Sequence, residues 1–132
     1  MATDLTARFA GLNYISLESF RRNGQGVAVP VWFAEENGIL YVYSEAASGK
    51  VKRIRNNPRV RIAPCDMRGR RKGDWVEATA RILEGDEAKR ADDLLNAKYS
   101  LKRLFGFLAK LRPRPRAYLA IRLGAGEASG GR

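Results

Sequence analysis

VPVWFAEENGILYVYS, residues 29–44, joins two apolar, β-branched and aromatic runs through Glu35-Glu36-Asn37-Gly38. Asn-Gly between such runs is the pair that a type I′ hairpin turn requires, because both central residues must take positive φ. The run before the turn is almost continuously apolar from residue 27 to 34, which predicts a strand buried on both faces. The run after it predicts a strand over 39–44. Upstream, residues 14–20 read as a strand that ends at the polar turn 21–26. Leu5, Phe9 and Leu12 stand at helical spacing and predict one or two amphipathic turns packed on the sheet.

Downstream lies SGKVKRIRNNPRVRIAPC, residues 48–65. Ser48 is an N-cap residue, Val51 and Ile54 are three apart among basic neighbours, and Pro58 closes the segment, so a short helix is predicted over 48–56. Residues 59–65 alternate, with Val60 and Ile62 inward and Arg59 and Arg61 outward. A loop rich in Arg and Gly over 66–74 leads to a strand over 75–83 with Val76, Ala78, Ala80 and Ile82 on one face. Ala88, Ala91, Leu94 and Leu95 predict a helix over 86–99, and a second helical stretch over 101–111 stops at Pro113 and Pro115. A last strand is expected over 116–123, then a Gly/Ser-rich tail over 124–132 that should be disordered. The fold class is mainly β: one domain over 1–123, a small antiparallel β-barrel of about six strands with helical additions. So small a barrel is filled by its own side chains, so a large ligand must sit outside it, where a second subunit can complete the site.

The segment 48–65 is also the first place to expect a ligand. Ser48 caps the helix and Gly49 permits close approach, so the amides of Lys50 and Val51 and the Lys50 ammonium can meet a phosphate. The net charge of +11 is unevenly placed: residues 48–72 carry +9 and residues 98–132 carry +8, on a frame that is mildly acidic elsewhere. Two basic segments suggest a polyanionic partner: a phosphorylated cofactor with a carboxylate tail, an anionic membrane surface, or a nucleic acid.

The 132 residues contain no histidine and one cysteine, Cys65, which excludes an internal disulfide, the usual zinc sites and any mechanism with an imidazole base. Cofactor chemistry, carboxylate or lysine acid-base work, and binding remain. No apolar run reaches the roughly 20 residues of a membrane span and no secretory leader is visible, so a cytoplasmic protein is expected. Cys65, beside Pro64, reads as a small half-buried hydrophobe, Trp32 and Trp75 as core or interface aromatics, and Arg68 to Lys72 as a solvated turn.

Taken in order, VPVWFAEENGILYVYS, SGKVKRIRNNPRVRIAPC and GDWVEATARIL resemble the pyridoxamine 5′-phosphate oxidase-like split β-barrel superfamily. Within it they are most similar to the F420-dependent oxidoreductase group, over about residues 9–123. That resemblance implies a homodimer with two cofactor sites at the interface, holding the deazaflavin F420 or, in sister groups, FMN. It implies that Ser48, Lys50 and Lys52 hold the cofactor phosphate, that Pro30, Val31 and Trp32 back the tricyclic ring, and that Arg55 and Arg61 assist. The oxidase itself has Arg-Lys after its phosphate-site serine, where this chain has Gly49-Lys50. The implied activity is hydride transfer between F420 and a small organic substrate, the proton coming from solvent, Tyr41, Tyr43 or Asp74. The alternatives are an FMN- or haem-related-ligand-binding barrel without F420 chemistry, and, from another class, a basic nucleic-acid-binding module. With the resemblance, no nucleic-acid partner and no membrane span are expected.

Overall fold

The computed structural model describes residues 8–98 and 116–124. Seven strands and two helices alternate along the chain: β1 (Tyr14–Phe20), β2 (Gly26–Trp32), β3 (Ala34–Glu36), β4 (Ile39–Glu45), α1 (Gly49–Asn56), β5 (Arg59–Pro64), β6 (Val76–Leu83), α2 (Gly85–Lys98) and β7 (Arg116–Leu123). All strands join one antiparallel sheet in the order β2-β1-β5-β6-β7-β4-β3. The two ends of that sheet, β2 and β3, are consecutive in the chain and separated by Phe33 alone. One residue therefore carries the backbone from one edge to the other, and the sheet curls into a split barrel.

That step corrects the expectation of a single strand over 27–34. The run is cut at Phe33: β2 pairs with β1, from Tyr14 opposite Trp32 to Phe20 opposite Gly26, while only β3 forms the hairpin with β4. The hairpin turn itself is as predicted, with Asn37 at φ 54° and Gly38 at φ 82°. Nor is β2 buried on both faces. Its odd residues Val29 and Val31 face the core, while Ala28 and Pro30 are exposed and Trp32 is half-buried. An apolar run announces burial only if something covers both faces, and β2 is an edge strand. Phe33 is fixed in the core by an edge-on contact with Phe9, centroids 6.3 Å apart. Its carbonyl accepts from Lys98 Nζ at 2.8 Å, and that ammonium also donates to the Leu12 carbonyl at 2.7 Å and lies 3.9 Å from the Phe33 ring centroid.

The interior is filled by Ile15, Leu17, Leu40, Val42, Val60, Ile62, Leu119 and Ile121, each essentially without solvent exposure. Val60 and Ile62 point inward, as the alternation predicts, and so do Val76, Ala78 and Ala80. Helix α1 packs on β1 and β6 through Val51 and Ile54. Helix α2 covers the outer face of β3, β4 and β7, where Ala91 clusters with Ala120 and with Leu83 at the end of β6. Near the N-terminus, residues 8–11 form a turn that brings Phe9 into the core. The rest of the first predicted helix, the stretch 101–111 with its proline stop, and the tail beyond residue 124 lie outside the described residues. Among the described residues no helix is long and apolar enough to cross a membrane.

Truncating Phe33 to Ala removes the plug at the strand break, so Phe33→Ala should lower unfolding free energy by about 3–5 kcal/mol in a denaturant titration. A loss below about 1 kcal/mol would show that the break is held by its backbone alone.

Candidate anion-binding site

β4 and α1 are joined by a tight turn in which Ser48 N–H donates to the Glu45 carbonyl at 3.0 Å. Ser48 caps α1 from an extended conformation (φ −68°, ψ 157°), its Oγ accepting from Val51 N–H at 3.4 Å. The turn also brings Ser44, at the end of β4, to 2.9 Å from Ser48 Oγ, and Lys50 Nζ donates to Ser44 Oγ at 2.7 Å. The Val51 amide, expected to be open to a ligand, is thus taken by its own cap. The amides of Gly49 and Lys50 are the first-turn donors for which helix geometry supplies no acceptor. A Cβ at Gly49 would lie 2.8 Å from Arg53 Nη1, so the guanidinium rests directly on the first turn. Arg53 is held there by Ser19, buried on β1, which accepts from Arg53 Nε at 2.7 Å.

Two hydroxyls, two backbone amides and two cations therefore converge at one helix start. Neither Lys50 nor Arg53 forms an ion pair among the described residues. Burial, reinforced by the Arg53 charge and opposed by Glu45, holds the Lys50 ammonium below the ordinary lysine value. Burial and the charge of Arg21 do the same to Arg53.

The other predicted site residues divide. Lys52 is exposed and turns into a groove beside the β1–β2 turn, while Arg55 is exposed on α1. Arg61 faces outward, as predicted, but is committed: Nε donates to Glu18 at 2.6 Å and the guanidinium lies 4.9 Å from the Trp75 ring centroid. The Val31 side chain belongs to the core and can offer a ligand only backbone, whereas Pro30 and Trp32 lie on the outer face. Trp32 heads an aromatic ladder: it is 6.4 Å from Tyr14 and stacks on Tyr43 at 6.2 Å and 13°, and Tyr43 lies 6.4 Å from Tyr118. The Arg116 guanidinium sits 4.9 Å over the Tyr43 ring. Because Tyr43 precedes Ser44 on β4, the aromatic face and the anion cradle share one strand.

Sequence reasoning did not single out Ser44 or Arg53. The spacing of Ser44 and Ser48 was a usable signal, but the Arg53–Ser19 contact joins residues 34 apart and is set by how α1 docks on β1. Among the candidate proton donors, Tyr41 packs under α2, Tyr43 is in the ladder and Asp74 is exposed in a loop. Cys65 is buried, and burial beside Asp66 pushes its thiol up, as suits a packing residue. The basic loop is organised by Asp66, which accepts from the Arg68 and Arg70 amides and from Arg70 Nε at 2.9–3.0 Å, and it seats Gly69 against Pro30. No group of three or more metal-ligating side chains is present among the described residues.

A curled antiparallel sheet closed on a solid apolar core, with two helices packed on it, is the split β-barrel fold. The sequence model of the pyridoxamine 5′-phosphate oxidase family matches residues 2–128, and the chain belongs to that family. No curated protein matches it. Among solved structures it is similar to a conserved hypothetical protein of Mycobacterium tuberculosis, with 20% identity and a TM-score of 0.67 over 92% of this chain and 79% of that one. It is also similar to an FAD-binding protein of Mesorhizobium loti, with 21% identity and a TM-score of 0.66 over 94% and 88%. A third is HutZ, the haem storage protein of Vibrio cholerae, with 11% identity and a TM-score of 0.68 over 92% and 88%. At these identities the likeness is one of fold.

The Lys50 environment predicts that its ammonium deprotonates below the ordinary lysine value of 10.5, measured by its 13Cε shift. Arg53→Met should move the Lys50 transition back up by removing the neighbouring charge, and a Lys50 transition that Arg53→Met leaves in place would contradict the geometry. For the sign, a lysine held below its unfolded value of 10.5 binds fewer protons folded than unfolded, so this group's contribution to stability rises with pH through that interval.

Proposed function

We propose that the chain is an F420-dependent oxidoreductase that works as a homodimer and transfers a hydride between the deazaflavin and a small organic substrate. The observation that carries this reading is the cradle of Ser44, Ser48, Lys50 and Arg53, which shares β4 with the outward-facing Tyr43. A phosphate fits there because it would accept from the Gly49 and Lys50 amides and neutralise two neighbouring cations that have no carboxylate partner in the described chain. A flat ring fits the outer side of β2 near Pro30 and Trp32, which its own chain leaves partly uncovered. When bound, the deazaflavin supplies the hydride, which accords with a chain that has no histidine. The protein's residues hold the phosphate, orient the ring and exclude water from one side of it. The exposure of Ala28 and Pro30 on the outer side of β2, which stands at one end of the sheet among the described residues, supports a second copy of the chain as the other wall of the site.

A flavin- or haem-related ligand is the second reading, favoured by the fold likeness to an FAD-binding protein and to a haem storage protein. Titrating the protein with F420 and with FMN, followed by tryptophan fluorescence, separates the two, and saturable binding of FMN alone would overturn the first. Lys50→Ala should weaken cofactor binding by about 1.5–3 kcal/mol while leaving the unfolding transition in place. Unchanged affinity would remove Lys50 from the site. Light scattering should give twice the 14.7 kDa chain mass, and a monomer at micromolar concentration would refute the shared-site arrangement.

A further inference from the structure

A groove of about 450 Å³ opens between the β1–β2 turn and the outer side of α1. Arg21, Arg22, Lys52 and Arg53 line it together with Asn56 and Asn57, and no carboxylate does. Elsewhere on the described surface six arginines pair with acids, Arg59 with Glu77, Arg61 with Glu18, Arg70 with Asp66, Arg81 with Glu87, Arg90 with Glu36 and Arg116 with Asp92, whereas the arginines of the groove form no ion pair among the described residues. Four cationic side chains around one concavity repel one another unless an anion lies between them. Asn57 Oδ1 accepts from Arg59 N–H at 3.1 Å, which leaves the Asn57 amide hydrogens for another acceptor.

We propose that this groove is a second anion subsite, continuous with the Ser48–Lys50 cradle through Arg53, which takes a further phosphate or carboxylate of the same ligand. Arg53 makes the connection because it belongs to both places: its guanidinium rests on Gly49 at the helix start and its side chain forms a wall of the groove. Its anchor on Ser19 fixes it between them. The electrostatics run along the same line, since Arg21 acts on Arg53 and Arg53 on Lys50. The ligand class that satisfies both subsites carries two separated anionic groups, and a ligand with one phosphate fills only the first. This deepens the reading of the Ser48–Lys50 cradle as a phosphate site and rests on it.

Isothermal titration with orthophosphate and with tripolyphosphate, neither carrying a ring, tests the subsite directly. Tripolyphosphate should bind about tenfold more tightly than orthophosphate, as expected when two more partly exposed cations are engaged. Arg21→Gln/Arg22→Gln should abolish that advantage and leave orthophosphate affinity unchanged. Arg81→Gln/Arg90→Gln, with the same loss of charge on β6 and α2, should keep it. An advantage that survives in the first variant, or falls equally in the second, overturns the subsite, the latter by showing that net charge alone governs binding. Orthophosphate affinity unaltered by Lys50→Ala would instead overturn the phosphate reading of the first cradle, and the groove would then stand or fall on whether Arg21→Gln/Arg22→Gln weakens tripolyphosphate binding.

Discussion

The single step at Phe33 is the constraint from which the rest of the molecule follows. A seven-stranded antiparallel sheet would have two open edges, yet here those edges are occupied by β2 and β3, which one residue joins. The backbone can cross that gap only if the sheet bends back on itself, and the bend persists because Phe33 is buried against Phe9 with Lys98 on its carbonyl. Lys98 is the last described residue of α2, so the same ammonium that pins the break also ties the helix covering β4 and β7 to the barrel. From β3 the hairpin sets the register of β4 against β7, with Ser44 opposite Ala117 and Glu45 opposite Arg116. The position of the anion cradle is a consequence of that register.

The cradle gathers charge at some cost to the free protein. Lys50 and Arg53 are each held by a serine hydroxyl, a neutral acceptor that orients a cation without cancelling its charge. A carboxylate in either place would neutralise the cation internally and leave less for an incoming anion. Arg61 shows that alternative on the same barrel: it is the most favourably partnered of the predicted site arginines, between Glu18 and Trp75, and for that reason it is poorly suited to take a ligand. Hydroxyl partners in one place and carboxylate partners in the other separate the proposed binding cluster from a structural ion pair.

Local chemistry made much of this legible. The Asn37-Gly38 turn, the Ser48 cap, the Pro58 stop and the inward alternation of Val60 and Ile62 each depend on residues within a few positions of one another, and each stands in the fold as predicted. Packing of the outer face was not legible from the same pattern. Ala28, Pro30 and Trp32 continue an apolar run whose burial the sequence could not apportion, because whether a face is covered depends on which strand lies next to it. Ser19, a serine in an ordinary strand, became the anchor of Arg53 only when α1 docked across β1.

The sequence by itself determined a mainly β chain with one capped basic helix, a single cysteine and no imidazole, since composition, periodicity and capping are properties of short stretches. Tertiary structure alone decided that the longest apolar run is two strands at opposite edges, that Val31 belongs to the core while Trp32 faces out beside Tyr43, and that Arg53, anchored on Ser19, lies over Gly49. The reason is closure: once the sheet must join its own ends, residues far apart in the chain are forced to a common rim, and neither the choice of neighbours there nor the charge they share is written in any local segment.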